Sequence, residues 1–116
     1  MILSLLQVAL GGAVGSVLRF LAVQVLGAPV ATLVVNVLGS FVIGALFVVL
    51  GPKMQYAPLL MAGLLGGFTT FSAFSLDTLK LVEAGQILQA AIYVAGTVLL
   101  SLIAVALGVA LARGLL

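Results

Sequence analysis

Polar side chains recur at helical spacing in two stretches of this chain that are otherwise almost wholly apolar. They stand at Thr32, Asn36 and Ser40 in the first stretch and at Tyr93, Thr97 and Ser101 in the second. A step of four residues puts successive side chains on one face of a helix. Because a polar group buried without a partner costs about 1–3 kcal/mol, the two faces are predicted to meet each other or to line water.

Three phenylalanines follow one another in steps of three, at Phe68, Phe71 and Phe74. The edge of an aromatic ring is electropositive, so a short ladder of ring edges beside a stripe of hydroxyls and amides can solvate a small anion. A fixed Lys or Arg would hold an anion tightly, whereas conduction needs binding that also allows exit. Ordinary core packing of the three rings stays open as the alternative.

The composition indicates where these side chains must act. The chain has 116 residues, of which 66% are hydrophobic and 5% charged, whereas about a quarter of an ordinary soluble domain is charged. We therefore expect an all-α integral membrane protein, a single four-helix domain over residues 1–116 in the lipid bilayer, and no enzyme. The net charge of +2 is too small to indicate a nucleic-acid partner, and the absence of Cys and His removes a thiol nucleophile and the commonest transition-metal ligand.

Breaks in hydrophobicity divide the chain into four transmembrane helices. A span needs about 20 apolar residues, and the predicted spans are residues 3–26, 30–50, 57–76 and 86–111, which puts both termini on one side. Small residues spaced four apart let helix backbones approach closely in lipid. Such pairs are Gly11 with Gly15, Ser40 with Gly44, and Gly63 with Gly67.

The basic residues predict no single orientation. Lys53 and Arg113 would lie on the side of the termini, and Lys80 and Arg19 on the other side. Orientation normally follows an excess of Lys and Arg in cytoplasmic loops, and here the two sides balance. The chain is expected to insert both ways and to form an antiparallel, dual-topology homodimer, unless so few charges balance by chance.

Residues 66–75, GGFTTFSAFS, are predicted to break the third helix near mid-membrane. Adjacent glycines weaken a helix by about 1 kcal/mol each relative to alanine, and Thr and Ser hydroxyls capture backbone groups. Irregular backbone is tolerated at membrane depth only where protein buries it or a cavity wets it. We expect the break to meet its twofold copy at the dimer centre, where freed carbonyls invite a cation such as Na⁺.

Three motifs, taken together, resemble the Fluc or CrcB family of fluoride channels. They are GGAVGSVLRF at residues 11–20, ATLVVNVLGSFVIG at residues 31–44 and GGFTTFSAFSLD at residues 66–77. The resemblance extends over the whole chain in length, number of spans and balanced charge. It implies a fluoride-selective channel in the cell inner (plasma) membrane that exports fluoride passively and gives fluoride resistance, built as an antiparallel homodimer with two pores and one central structural Na⁺.

The resemblance also implies roles for single residues. The implied pore residues are Asn36, Phe71, Phe74, Tyr93, Ser101, Thr32 and Ser72, and the implied sodium ligands are the backbone carbonyls of Gly66 and Thr69. One position departs from the family's common pattern, because Ala73 stands where a second threonine is frequent. That change removes one hydroxyl from the polar track.

Arg19, late in the first span, has two open roles. A charged side chain at the centre of a span costs about 2.5–3.5 kcal/mol or more, so Arg19 should reach the interface or a carboxylate. Asp77, predicted to end the third span on the same side, is the candidate partner. The alternative is that Arg19 gathers anions at the pore mouth.

Two other classes of protein fit part of the pattern. A small multidrug-type proton-coupled antiporter also has four spans, but it needs a titratable carboxylate within the membrane. Asp77 and Glu83 are both predicted at or beyond a helix end, and the chain has no Trp to bind an aromatic cation. A purely structural membrane subunit would explain the glycine pairs but not two polar stripes and a broken helix.

Overall fold

The computed structural model describes residues 1–51 and 54–115, and all regular secondary structure in that part of the chain is helical. Its helices are α1 (Ile2–Leu26), α2 (Val30–Val49), α3 (Gly66–Phe68), α4 (Ser72–Glu83) and α5 (Ile87–Leu115), with a 3₁₀ turn at Met54–Tyr56 and a π-helical segment at Pro58–Leu65. The predicted all-α class is confirmed. Lys53, which was predicted to lie on the side of the termini, is outside the described residues.

Four helical stretches in the described part of the chain are long and apolar enough to cross a membrane. They are α1, α2, the stretch Pro58–Glu83, which we call the third span, and α5, with mean hydropathies of 1.7, 2.4, 1.6 and 2.5. The chain is therefore a multi-pass membrane protein. The predicted number of spans is confirmed.

The third span was predicted to end at Leu76, and this boundary is wrong. Helix α4 continues to Glu83, and the chain turns at Gly85, whose φ of 79° is a left-handed conformation that favours glycine. The charged residues do not end the helix because Lys and Glu are good helix formers. Asp77 therefore lies inside α4, where only 8% of it is exposed.

Helix α1 packs backbone to backbone against the third span. A Cβ added at Gly11 would lie 2.7 Å from the Leu64 nitrogen, and one added at Gly15 would lie 2.8 Å from the Phe68 nitrogen. A Cβ at Gly67 would lie 2.7 Å from a backbone oxygen of α1. The predicted close approach of small residues is confirmed, and it joins two helices of one chain.

Helix α2 packs in the same way against α5. A Cβ at Gly44 would collide with the Val105 carbonyl, and one at Gly108 would collide with the Phe41 carbonyl and lie 3.1 Å from the Ala45 nitrogen. The two largest helix interfaces are thus α1 with the third span and α2 with α5. The predicted pore residues come from α2, the third span and α5.

The π-helical segment was not predicted. It ends where the Gly66 N–H donates to the carbonyl of Met61, five residues earlier. The sequence PLLMAGLL is compatible with an ordinary α-helix, which also accepts a proline in its first turn, so the apolar pattern carries no sign of the wider turn. The segment brings Gly63 within contact of α1, where a Cβ would lie 3.1 Å from the Gly11 Cα.

Enlarging Gly15 should destabilise the fold while enlarging Gly12 should not. In Gly15→Ala the new methyl meets backbone atoms that cannot rotate away, so the free energy of unfolding should fall by about 1–3 kcal/mol. In the control Gly12→Ala the nearest atom, the Gly63 oxygen, is 4.0 Å away. Unfolding in detergent measures both variants, and equal stability would contradict the packing described for α1.

Candidate functional site

Residues 69–71, within GGFTTFSAFS, do not belong to a helix. Helix α3 ends at Phe68, Thr69 is extended with φ −85° and ψ 160°, and α4 begins at Ser72. The backbone N–H and the hydroxyl of Thr69 both donate to the Leu65 carbonyl, at 3.0 Å and 2.9 Å. We call residues 69–71 the interruption.

The Asn36 side chain, from α2, holds the interruption by two hydrogen bonds to one residue. Its Nδ2 donates to the Thr70 carbonyl at 2.9 Å, and its Oδ1 accepts from the Thr70 backbone N–H at 2.8 Å. In an uninterrupted helix the Thr70 N–H would donate to the Gly66 carbonyl. Asn36 therefore takes a donor away from the helix of the third span.

Thr70 also starts the next helix, a role that the sequence reading missed. Its hydroxyl accepts from the Ala73 backbone N–H at 3.1 Å and lies 3.3 Å from the Ser72 hydroxyl. The N-cap residue of α4 is Phe71, and the Thr70 hydroxyl, one residue earlier, satisfies a first-turn N–H in the way an N-cap side chain does, a bond worth about 0.5–2 kcal/mol. The sequence feature that could have indicated this role is a threonine directly ahead of a helical stretch, three residues before Ala73.

Arg19 reaches the third span, but not at Asp77. Its Nε donates to the Gly67 carbonyl at 3.1 Å. Of the two roles left open for Arg19, pairing with Asp77 does not hold, because Asp77 lies well along α4 and its carboxylate accepts from other side chains. The role of Arg19 in gathering anions stays a prediction.

Asp77 joins α4 to the first members of both polar stripes. Its Oδ2 accepts from the Thr32 hydroxyl at 2.7 Å and from the Tyr93 hydroxyl at 3.1 Å. All three side chains are buried. The expectation that both acids lie at or beyond a helix end is wrong for Asp77, so the case against an antiporter cannot rest on it.

The aromatic rings form a different series from the predicted ladder. The Phe71 and Phe74 centroids are 5.4 Å apart, and the Phe74 and Tyr93 centroids are 5.3 Å apart. Phe68 instead packs over Gly39 of α2, its Cδ2 being 3.5 Å from an added Cβ. Phe68 leaves the series because the interruption separates its helix from the helix that carries Phe74.

A cavity of about 400 Å³ lies against the interruption. Predicted site residues that line it are Asn36, Gly66, Thr69, Phe71, Phe74 and Ser101. The lining also includes Thr97, and the buried hydroxyls of Thr97 and Ser101 have no hydrogen-bond partner in the described part of the chain. No charged side chain is among the described residues of its wall.

Three predicted pore residues lie outside the lining of this cavity. Thr32 and Tyr93 donate to Asp77. Ser72 is exposed, with its hydroxyl near that of Thr70. Their contribution to a pathway stays a prediction.

The architecture is that of a small four-span membrane protein with a largely apolar cavity, into which several hydroxyls are built, beside an interrupted span. A sequence model of the CrcB-like protein family, also described as Camphor Resistance (CrcB), matches residues 6–109. The chain belongs to this family.

Several relatives are similar over almost the whole chain. A protein of Cereibacter sphaeroides is 54% identical over 98% of both chains. A protein of Paracoccus denitrificans is 49% identical over 95% of this chain and 94% of its own, and one of Hahella chejuensis is 46% identical over 94% of each. Each of the three is named "Fluoride-specific ion channel FluC".

Removing either donor to Asp77 should destabilise the protein. Thr32→Val and Tyr93→Phe each leave a buried carboxylate with one hydrogen bond fewer, so the free energy of unfolding should fall by about 1.5–3 kcal/mol. The matched control is Thr97→Val, because that hydroxyl is buried without a partner among the described residues, and its loss should be neutral or slightly stabilising. If all three variants unfold alike, Asp77 does not organise this region.

Proposed function

We propose that this chain is a fluoride-selective ion channel that exports fluoride passively and so gives fluoride resistance. The observation that carries the proposal is the match, over nearly the full chain, to relatives named as fluoride-specific channels. The uncharged cavity supports it, because a conducting site must bind an anion strongly enough for entry and weakly enough for exit.

The cavity offers hydrogen-bond donors that can replace part of the hydration of fluoride. The hydroxyls of Thr97 and Ser101 are buried without a partner in the described residues, and each can turn its hydrogen toward an anion. Asn36 uses one amide hydrogen on Thr70 and keeps a second. The ring edges of Phe71 and Phe74 add electropositive contacts.

Movement through such a pathway needs no energy-coupling site. Fluoride moves down its electrochemical gradient, and a membrane potential that is negative inside favours the exit of an anion. Selectivity over chloride follows from a narrow path whose donors are fixed in place. The inner (plasma) membrane is the expected location.

We further propose that the functional unit is an antiparallel homodimer with the interruption near mid-membrane. Phe71 is 74% exposed although it lines the cavity, and Ser72 and Ser75 are exposed beside it. Irregular backbone cannot face lipid, and these side chains lie at or directly after it. A second copy can cover them, and the balanced basic residues favour opposite orientations.

The backbone carbonyl oxygens at the interruption are suitable ligands for a central structural Na⁺. The Thr70 N–H donates to Asn36, and the Ala73 N–H donates to the Thr70 hydroxyl, so the carbonyls of Gly66 and Thr69 lose their regular helical donors. Unwound backbone carbonyls are suitable ligands for Na⁺. Bound between two copies, the ion would supply positive charge that offsets the repulsion between facing carbonyls.

The proton-coupled multidrug antiporter is the second candidate, and one observation favours it. Asp77 is a buried carboxylate within a membrane-spanning helix, the type of residue that such exporters titrate. However, its Oδ2 already accepts from Thr32 and Tyr93, and the family match favours the channel.

Fluoride flux from liposomes tests the channel. Purified protein should release fluoride much faster than chloride, and Phe74→Ile should slow fluoride release by about tenfold or more, a change of ~1.4 kcal/mol in barrier height. Phe47→Ile is the control, because Phe47 is a largely exposed ring of α2 outside the cavity. Equal passage of chloride would remove the proposed selectivity, and drug-driven proton flux would favour the antiporter.

Labelling of a single cysteine tests the orientation. The chain has no Cys, and Gln86 lies exposed in the turn between α4 and α5. In Gln86→Cys, a membrane-impermeant maleimide applied to intact cells should label about half of the molecules if insertion is mixed, and permeabilised cells should label fully. Labelling of all or none of the intact-cell protein would contradict the antiparallel dimer.

A further inference from the structure

We infer that Asn36 and Thr70 are positioning residues of the central cation site. Their side chains capture the two backbone N–H groups that would otherwise occupy the carbonyls of Gly66 and Thr69. The inference rests on the proposed Na⁺ site and names the two residues that hold its ligands in place.

The argument begins with the bonds that an uninterrupted helix would make. In such a helix each N–H donates to the carbonyl four residues earlier, so Thr70 would donate to Gly66 and Ala73 would donate to Thr69. The structure replaces both bonds. The Thr70 N–H donates to Asn36 Oδ1 at 2.8 Å, and the Ala73 N–H donates to the Thr70 hydroxyl at 3.1 Å.

Asn36 fixes the peptide as well as diverting its donor. Its Nδ2 donates to the Thr70 carbonyl at 2.9 Å, so the same amide grips both the N–H and the carbonyl of one residue. Such a two-point contact opposes rotation of Thr70 back into helical geometry. Neither hydrogen bond uses the carbonyl of Gly66 or of Thr69, which stay available to a cation.

The chemistry of the two side chains suits this task. An asparagine amide is neutral and presents a donor and an acceptor together, as the Thr70 backbone requires. A threonine hydroxyl is a good acceptor for the N–H three residues on. Residues that orient ligands without touching the ion commonly change metal affinity by about 10- to 100-fold when replaced.

The test measures stabilisation of the full-length purified dimer by Na⁺, with N-methyl-D-glucamine as the replacement cation. A ligand that binds only the folded state stabilises it by RT ln(1 + [L]/Kd), so the rise of the unfolding midpoint with Na⁺ concentration gives the concentration that half-saturates the folded protein. Thr70→Val and Asn36→Leu should raise the half-saturating Na⁺ concentration by about 10- to 100-fold. Thr70→Ser keeps the accepting oxygen and should stay close to the unmodified protein.

The matched control is Thr78→Val. The Thr78 hydroxyl donates to the Phe74 carbonyl within α4 at 2.8 Å, so its loss should change stability without changing the half-saturating Na⁺ concentration. This readout separates positioning of the site from a general structural role. It also does not depend on fluoride flux, in which Asn36 has a second proposed role.

The outcomes distinguish the inference from the proposals on which it rests. If Na⁺ stabilises the unmodified protein and all variants with the same half-saturating concentration, the positioning roles are wrong and the Na⁺ site stands. If Na⁺ stabilises none of them, both the Na⁺ site and this inference are wrong. Fluoride flux then still decides whether the chain is a channel.

Discussion

The fold depends on one constraint, which is that backbone N–H and carbonyl groups inside a membrane need partners supplied by the protein. The interruption at residues 69–71 removes regular partners from the third span. Side chains replace them, since Asn36 binds both backbone groups of Thr70 and Arg19 donates to the Gly67 carbonyl. An irregular segment is tolerated because α1 and α2 supply the missing hydrogen bonds.

The same side chains determine how the two pairs of helices meet. Within each pair, glycines bring backbones together, and such contacts depend on shape alone. Between the pairs, polar contacts fix the third span at defined points, with Asn36 at the interruption and Thr32 and Tyr93 at Asp77. The cavity lies beside these contacts, so its wall is positioned by hydrogen bonds as well as by packing.

The sequence predicted the helical class, the four spans and the glycine contacts, because each follows from composition or from spacing that one helix imposes. It did not predict the π-helical segment, because an apolar run is equally compatible with an α-helix and a π-helix. The sequence pattern also did not reveal that Thr70 stabilises the start of α4. Asp77 was misplaced because a charged residue was taken to end the span. Partners for Asp77 come from Thr32 and Tyr93, which are distant in sequence, and periodicity within one helix cannot identify contacts between helices.

Asn36 shows why a neutral amide suits this position better than a charged or apolar side chain. An aspartate would keep an acceptor for the Thr70 N–H, but it would lose the donor to the Thr70 carbonyl and place a negative charge beside an anion pathway. A leucine would leave both backbone groups of Thr70 without partners, at about 1–3 kcal/mol each. The amide satisfies both groups and retains one N–H, so a single side chain can stabilise the interruption and still offer a donor to the cavity.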